Sequence, residues 1–302
     1  MKDSRILVTG PSGQVALPLT TALAHDNEVW GVARFKDAAA KERLEDAGVQ
    51  CVPVDLASGD FDGLPDKVDY VLNLAVSHGG PDAFDRDLAL NAEATGLLMQ
   101  RFRDAKAFLH CSSTGVYEPA GHHQLKETDP LGDNHRVMLP TYSICKIAAE
   151  AVARTAARQL DLPTVITRLN VPYGDNGGWA AFHLEMMLAG QPVPVHTDAP
   201  SLYNPIHDDD IVRQLPGMLE AASVPATIVN WGGTEQASVE DWCAYLGEVT
   251  GLEPKLTSTD QTISSVTIDT TKMHELVGET KVGWRDGYQR MVASLHPELL
   301  DK

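Results

Sequence analysis

Ile6-Leu7-Val8-Thr9-Gly10-Pro11-Ser12-Gly13-Gln14-Val15-Ala16 is the stretch whose reading decides the fold. An apolar run suited to a buried strand enters a turn with small residues at Gly10, Gly13 and Ala16, and a helical pattern follows over 14–24. Strand, glycine-rich turn and helix together cradle a dinucleotide pyrophosphate. The first small residue permits the tight turn, the second lets backbone amides approach the phosphates, and the third lets the helix pack closely with its positive end toward the anion. In isolation the same residues also suit an ordinary turn; their place at the head of an alternating chain favours the phosphate reading. Pro18 falls near the helix start, where a missing amide costs little.

Outward from that turn, residues 6–8, 28–32, 49–54, 70–74, 108–111 and 164–167 are short, largely apolar runs of the kind buried on both faces of a sheet. Helical patterns at 37–47, 88–105 and 141–159 lie between them. The alternation predicts an α/β protein with a Rossmann-type, doubly wound parallel sheet. After Arg168 the pattern becomes irregular, with Gly and Pro concentrated at 172–178 and 190–194. The expected division is a dinucleotide-binding domain over 1–169 and a smaller C-terminal substrate-binding lobe over 170–302, part of 205–230 returning to the nucleotide domain. Further helices are expected at 179–189, 208–220, 239–250 and 287–299, the third opened by a Ser238/Asp241 capping box.

The 302 residues are 43% hydrophobic, enough for a large core, and carry a net charge of -18 from 24 basic and 42 acidic side chains. A field of that sign repels phosphate backbones and anionic membranes, so neither nucleic acid nor a membrane is an expected partner. Cys51, Cys111, Cys145 and Cys243 are scattered without the close pairing of a zinc site or redox dithiol, and no metal is expected. His122, His123 and His135 read as an exposed loop, and Asp208-Asp209-Asp210 as the first turn of a helix. With no long apolar run and too short an N-terminal one for a signal peptide, a cytoplasmic protein is expected.

The second strand ends Val32-Ala33-Arg34, where an acidic residue would hold the ribose hydroxyls of NAD. Ala33 takes that place, and the fork of Arg34 suits the 2′-phosphate of NADP, so NADP is preferred over NAD. Asp55 is placed to accept from an adenine amine. Ser112 and Ser113 leave a strand end, while Tyr142 and Lys146 stand four apart on one helical face. A tyrosine pKa of about 10 must fall by about two to three units for exchange near neutrality, roughly 3–4 kcal/mol, which a lysine and a positive nicotinamide can supply. Tyr142 then exchanges the proton of a substrate oxygen that Ser113 also binds, while hydride passes to or from the nicotinamide. Trp179, Phe182, His183 and Met186 are candidate cleft walls.

Thr9 to Gly13, Asp55-Leu56, Asn73-Leu74-Ala75, Asn91, Ser112-Ser113, Tyr142-x-x-x-Lys146, Arg168, Tyr173-Gly174, Asn204 to Asp210 and Asp269 to Lys272 together resemble the extended short-chain dehydrogenase/reductases, the group of the NAD-dependent epimerase/dehydratase proteins. The resemblance implies a catalytic trio of Ser113, Tyr142 and Lys146. It implies cofactor contacts from Gly10, Ser12, Gly13, Gln14, Arg34, Asp55, Leu56, Leu74, Ala75 and Asn91 as well as Tyr142 and Lys146. Substrate contacts are expected from Ser113, Asn170, Trp179, His183 and Tyr203, and a homodimer through the helices at 88–105 and 141–159.

The chain departs from that pattern where substrates are chosen. Thr114 and Gly115 stand where dehydratases of the group carry an Asp-Glu pair, Val171 where epimerases carry Asn, and Tyr203 where they often carry a phosphate-binding Arg; no arginine lies near 261–269. A buried diphosphate without cationic partners carries a large desolvation cost, so a less charged carbonyl or alcohol is expected. The leading expectation is an NAD(P)-dependent dehydrogenase or reductase of a small molecule. The alternatives are an NAD-dependent UDP-sugar epimerase and a non-catalytic NADP sensor.

Overall fold

The computed structural model describes residues 1–300, so the last two residues of the expected lobe lie outside the described residues. Seven strands form one sheet: β1 (Arg5–Thr9), β2 (Glu28–Ala33), β3 (Gln50–Pro53), β4 (Tyr70–Asn73), β5 (Ala107–Ser113), β6 (Thr164–Leu169) and β7 (Thr227–Trp231). Their order is β3-β2-β1-β4-β5-β6-β7, every neighbouring pair parallel. Strand order reverses between β1 and β4, which opens a crevice at their carboxyl ends. All residues of β5 and β6 are buried, which is why their apolar side chains fall on both faces rather than on one.

Helices cover both faces, and β1 shows how. Ile6 and Val8 pack on one side with Leu19 of α1 (Ala16–Ala24), Leu44 of α2 (Ala38–Asp46) and Leu215 of α7 (Asp208–Glu220). Leu7 packs on the other with Leu98 of α4 (Ala94–Arg101) and Ala153 of α5 (Tyr142–Leu160). The period of two along a strand distributes these side chains to opposite layers. The Rossmann-type, doubly wound sheet read from the sequence is the observed fold.

The helix expected over 88–105 is displaced and broken. It comprises α3 (Phe84–Leu88), a π-helical turn over Ala89–Glu93, and α4. Asn91 donates its amide to Asp87 O at 2.7 Å, and Thr95 donates its hydroxyl to Asn91 O at 2.7 Å. Side chains that bond carbonyls four residues back accompany the widened turn, a distortion that periodicity does not register.

After β6 the chain builds a smaller lobe from α6 (Trp179–Leu188), α8 (Val239–Thr250) and α10 (Trp284–Leu295), packed around Trp242, Tyr203 and Tyr288. The Ser238/Asp241 capping box opens α8. The last helix begins earlier than the expected 287 and stops before Pro297, with only a 3₁₀ turn beyond. Two elements had no strong local signal. Helix α9 (Thr271–Val277) sends Met273 into the core that also holds Trp231 of β7, and β7 itself carries a polar Asn230. That asparagine is buried because Tyr117 donates to it and it donates to Leu125 O, partners more than a hundred residues away.

Candidate active site

Turns after β1, β2, β3 and β4 converge at the carboxyl edge of the sheet. Thr9, the last residue of β1, donates its hydroxyl to Asn73 Oδ1 at 2.8 Å and accepts the amides of Leu74 and Ala75, both at 3.0 Å. The strand ends beside the switch point are thereby joined. Gly10 follows with φ +65°, and a Cβ there would stand 2.9 Å from Ala75 Cα, so only glycine lets the turn close this far. Gly13 N donates to Gly10 O at 2.9 Å, and the uncapped start of α1 presents its positive end behind the turn.

Gly10, Ser12, Gly13, Arg34, Asp55, Leu56, Leu74 and Ala75 line one groove of about 340 Å³. A turn stripped of side chains before a helix end, an apolar floor and a polar rim fit a dinucleotide. Arg34 is exposed at that rim. Asp55 is held by Arg86 at 3.0 Å and by the Ala57 amide at 3.2 Å, and the Arg86 bond keeps its carboxyl below the usual range. Four expected contacts fall elsewhere, among them Tyr142, in the neighbouring cleft, and Lys146, buried behind it. Gln14 lines the neighbouring cleft, its carbonyl accepting from Asn176 of the lobe at 2.9 Å. Asn91 is buried against Ser77, donating to its carbonyl at 2.8 Å and accepting from its amide at 3.1 Å. It shapes the loop after β4 and does not line the groove.

Val76 is shared between this groove and a cleft of about 590 Å³, and Ser113 and Tyr142 stand in the cleft wall. Ser113 ends β5 and accepts the Gly115 amide at 3.0 Å, which fixes the oxygen and leaves its proton to donate. Tyr142 opens α5, and burial pushes its phenol up to about 12, offset in part by the Ser113 hydroxyl. Lys146, one turn on, is buried and donates to Cys111 O at 2.7 Å, with Nζ 6.0 Å from the centre of the Tyr142 ring. Burial lowers its pKa, opposed by Cys111 and Glu150.

The lowering expected from the lysine and a positive nicotinamide together is not met by the side chains alone, where burial dominates. A bound nicotinamide supplies hydride exchange and, when oxidised, a positive charge. Glu150, a further turn along α5, pairs with Arg168 through oxygens at 2.8 and 3.0 Å and accepts from Ser112 at 2.6 Å. This buried pair fixes β5, α5 and β6 against one another, and removing one member costs about 3–5 kcal/mol.

The cleft also redistributes the expected substrate contacts. Trp179 lines it at the start of α6. Tyr203 presents its ring there, while its hydroxyl donates away to Ile263 O and Ser264 O, both at 2.9 Å. Asn170 is a wall residue whose amide already donates to Thr114 Oγ1 and Val266 O and accepts Asn204 N. His183 does not line the cleft. It is 1% exposed, accepting from Trp242 Nε1 at 2.9 Å and stacking on that indole, so it is a core residue. Phe182 points to solvent and Met186 packs in the lobe core.

His135 reverses its expected role. It is half-buried in the cleft, its ring stacked on Tyr142 at 5.7 Å and 21°, and His78 meets the same phenol edge-on at 6.4 Å. His78 follows the β4 end closely enough for the sequence to have flagged it. His135 sits in an irregular stretch with no such signal. Gly115 lies under both rings, and a Cβ there would stand 3.2 Å from Tyr142 Cε1 and from His135 Nδ1. A side chain at 115 would have to push both rings aside by a few tenths of an ångström.

The same order of turn, strand-end serine and Tyr-x-x-x-Lys is what a family comparison tests, and the family model described as NAD dependent epimerase/dehydratase matches residues 6–232. The chain belongs to the NAD-dependent epimerase/dehydratase family. A trifunctional UDP-glucose 4,6-dehydratase/UDP-4-keto-6-deoxy-D-glucose 3,5-epimerase/UDP-4-keto-L-rhamnose-reductase of Arabidopsis thaliana is 22% identical over 96% of this chain and 47% of its own length. An uncharacterized UDP-glucose epimerase of Bacillus subtilis is 24% identical over 96% of this chain and 98% of its own. The UDP-glucuronic acid 4-epimerase of Bacillus cereus, solved with UDP-glucuronic acid and NAD, superposes with TM-score 0.81 at 20% identity, covering 97% of this chain and 99% of that one. The chain spans about half the length of the trifunctional plant relatives it matches. Among the described residues no helix is long and apolar enough to cross a membrane, and no cluster of metal-ligating side chains occurs.

Proposed function

We propose that this chain moves hydride between a nicotinamide dinucleotide and a carbinol or carbonyl carbon of a small molecule, Tyr142 exchanging the proton of the oxygen that Ser113 binds. The observation that carries this reading is the place of Ser113 and Tyr142 where a dinucleotide-shaped groove opens into a substrate-sized cleft, with Lys146 buried behind them. Residues 1–169 then serve chiefly the cofactor and 170–302 chiefly the substrate. The exposed Leu97 and Ile144 on α4 and α5 support a homodimer through those helices.

The relatives refine the reading in two respects. Solved relatives hold NAD, which supports NAD over the NADP preferred from Arg34. Their names also support the UDP-sugar epimerase, in which hydride leaves and returns to one substrate and NAD is unchanged overall, better than a net dehydrogenase. To test both, the nucleotide retained by purified protein is released and identified, NADH and NADPH are titrated into wild type and Arg34→Ala, and UDP-glucose and UDP-glucuronic acid are incubated with the NAD-loaded protein. Retained NAD with epimerised product supports the epimerase. Unchanged UDP-sugars beside NADH oxidation by a ketone return the dehydrogenase, and NADPH binding about tenfold tighter than NADH, lost in Arg34→Ala, returns NADP.

A further inference from the structure

Around Tyr142 the cleft wall carries more polar chemistry than the reacting oxygen uses. Ser113 and Tyr142 meet that one oxygen. The Tyr203 hydroxyl is turned onto two carbonyls, and the Asn170 amide is bonded through both its oxygen and its nitrogen. Among the lining groups left without a partner, Gln14 Nε2 is a donor on the side of the phosphate turn, and His78 is exposed. His135 is fixed in place beside the phenol.

Backbone and side-chain bonds do the fixing. Met138 and Leu139 donate their amides to His135 O at 3.0 and 2.8 Å, and Tyr142 N donates to Leu139 O at 3.1 Å, which ties the residue to the start of α5. Asn134 donates its side-chain amide to Thr114 O at 3.1 Å, so its Oδ1 is the atom that meets His135 Nδ1. An amide oxygen only accepts; the ring proton is therefore assigned to Nδ1, and Nε2 keeps a lone pair. Burial lowers the imidazole to about 4, so it is neutral at physiological pH. A Cβ on Gly115 would stand 3.2 Å from Nδ1 and 3.3 Å from Cδ2, so the base of the ring lies over that glycine and the Nε2 edge stands off from it. Nε2 has no partner among the described residues, and it is not one of the unpartnered polar atoms that packing seals off.

A sugar ring carries a hydroxyl on the carbon beside the reacting one. Once that hydroxyl leaves water it needs an acceptor, because a buried donor left unpaired keeps its full desolvation cost. We infer that His135 is a specificity-determining residue whose Nε2 accepts a hydrogen bond from a second substrate hydroxyl, adjacent to the oxygen that Ser113 and Tyr142 bind. The cleft thereby selects a ring polyol over an alcohol or ketone with a single oxygen. This rests on the hydride-transfer reading above, with a UDP-sugar as the substrate, and adds to it the group that reads the neighbouring position.

The test sets one missing hydroxyl against one missing acceptor. Calorimetry on the NAD-loaded protein compares UDP-glucose with its monodeoxy analogues, each lacking one sugar hydroxyl, in wild type, His135→Phe and His135→Gln. His135→Phe keeps a flat ring against Tyr142 and removes the acceptor, while His135→Gln offers an acceptor again through Oε1. His135→Phe should weaken UDP-glucose by about tenfold, and His135→Gln should recover most of that loss. One analogue that retains the reacting hydroxyl should bind wild type about tenfold more weakly than UDP-glucose and lose nothing further in His135→Phe, the coupling expected of two partners in one bond. Equal weakening of UDP-glucose and every analogue by His135→Phe marks a merely structural role and overturns the inference, as does no weakening at all or a wild type that binds none of these probes. The paired loss without epimerised sugar or NADH formation leaves the inference standing and counts against the hydride-transfer reading instead.

Discussion

The nucleotide groove and the substrate cleft open on the same edge of one sheet, yet the first is made mainly of backbone turns and the second mainly of side chains. The phosphate turn of the groove, Gly10, Gly13 and the start of α1, comes from one unbroken stretch, to which the turns after β2, β3 and β4 add Arg34, Asp55 and Leu74. The cleft draws Val76, Ser113, His135, Asn170, Trp179, Tyr203 and Val266 from separate segments. A turn built locally constrains what can stand at each of its positions, because it fails if a side chain intrudes. A site assembled from distant segments can exchange its lining while the fold persists, and that freedom is where members of one family diverge in substrate.

Four substitutions probe that contrast, starting with the largest effect. Tyr142→Phe should cut turnover by about a thousandfold while cofactor binding is retained, since it removes a proton and no groove contact; loss of NADH binding in the same variant would show that groove and cleft are not separable, and unchanged turnover would favour the sensor alternative. Gly10→Val should destabilise the fold by about 3 kcal/mol, from positive-φ strain and the contact with Ala75, and abolish dinucleotide binding, read by denaturation and titration. A valine tolerated there would undo the claim that backbone shape makes the groove.

Asp208 tests a buried charge at the start of α7, outside both linings. Burial, followed by Asp209 and Asp175, raises its pKa to about 8 from an ordinary 3.8. With the folded value above the unfolded one, the native state binds the extra proton between those limits, so this residue's contribution is full below about pH 4 and is lost as pH rises through about 8. Asp208→Asn should therefore raise the melting temperature most above pH 8 and least near pH 4; a gap independent of pH would refute the assignment. Smallest is His183→Phe, which should cost about 1–3 kcal/mol through the unpaired Trp242 Nε1 and leave KM unchanged. A selective rise in KM would return His183 to the substrate.

The sequence was legible where local rules suffice. Largely apolar runs marked six of the seven sheet strands, although β3 at the sheet edge is half-exposed rather than buried on both faces, and the Ser238/Asp241 cap marked the start of α8. β7 was not legible because Asn230 is acceptable inside a sheet only through Tyr117 and Leu125, which the fold brings from far away. Asn91 and Thr95 likewise altered a helix by bonding its carbonyls rather than by changing its hydrophobic pattern.

By itself, then, the chain determined the strand-turn-helix at Gly10, the alternating α/β order and the Tyr142/Lys146 spacing, because each depends on residues within a few positions of one another. Tertiary structure decided that His135 stacks on the Tyr142 phenol while His183 is core, that Asn91 shapes a loop, that Tyr203 turns its hydroxyl away, and that burial pushes the Tyr142 phenol up. Those outcomes depend on which distant groups share a low-dielectric space, and sequence separation carries no measure of that.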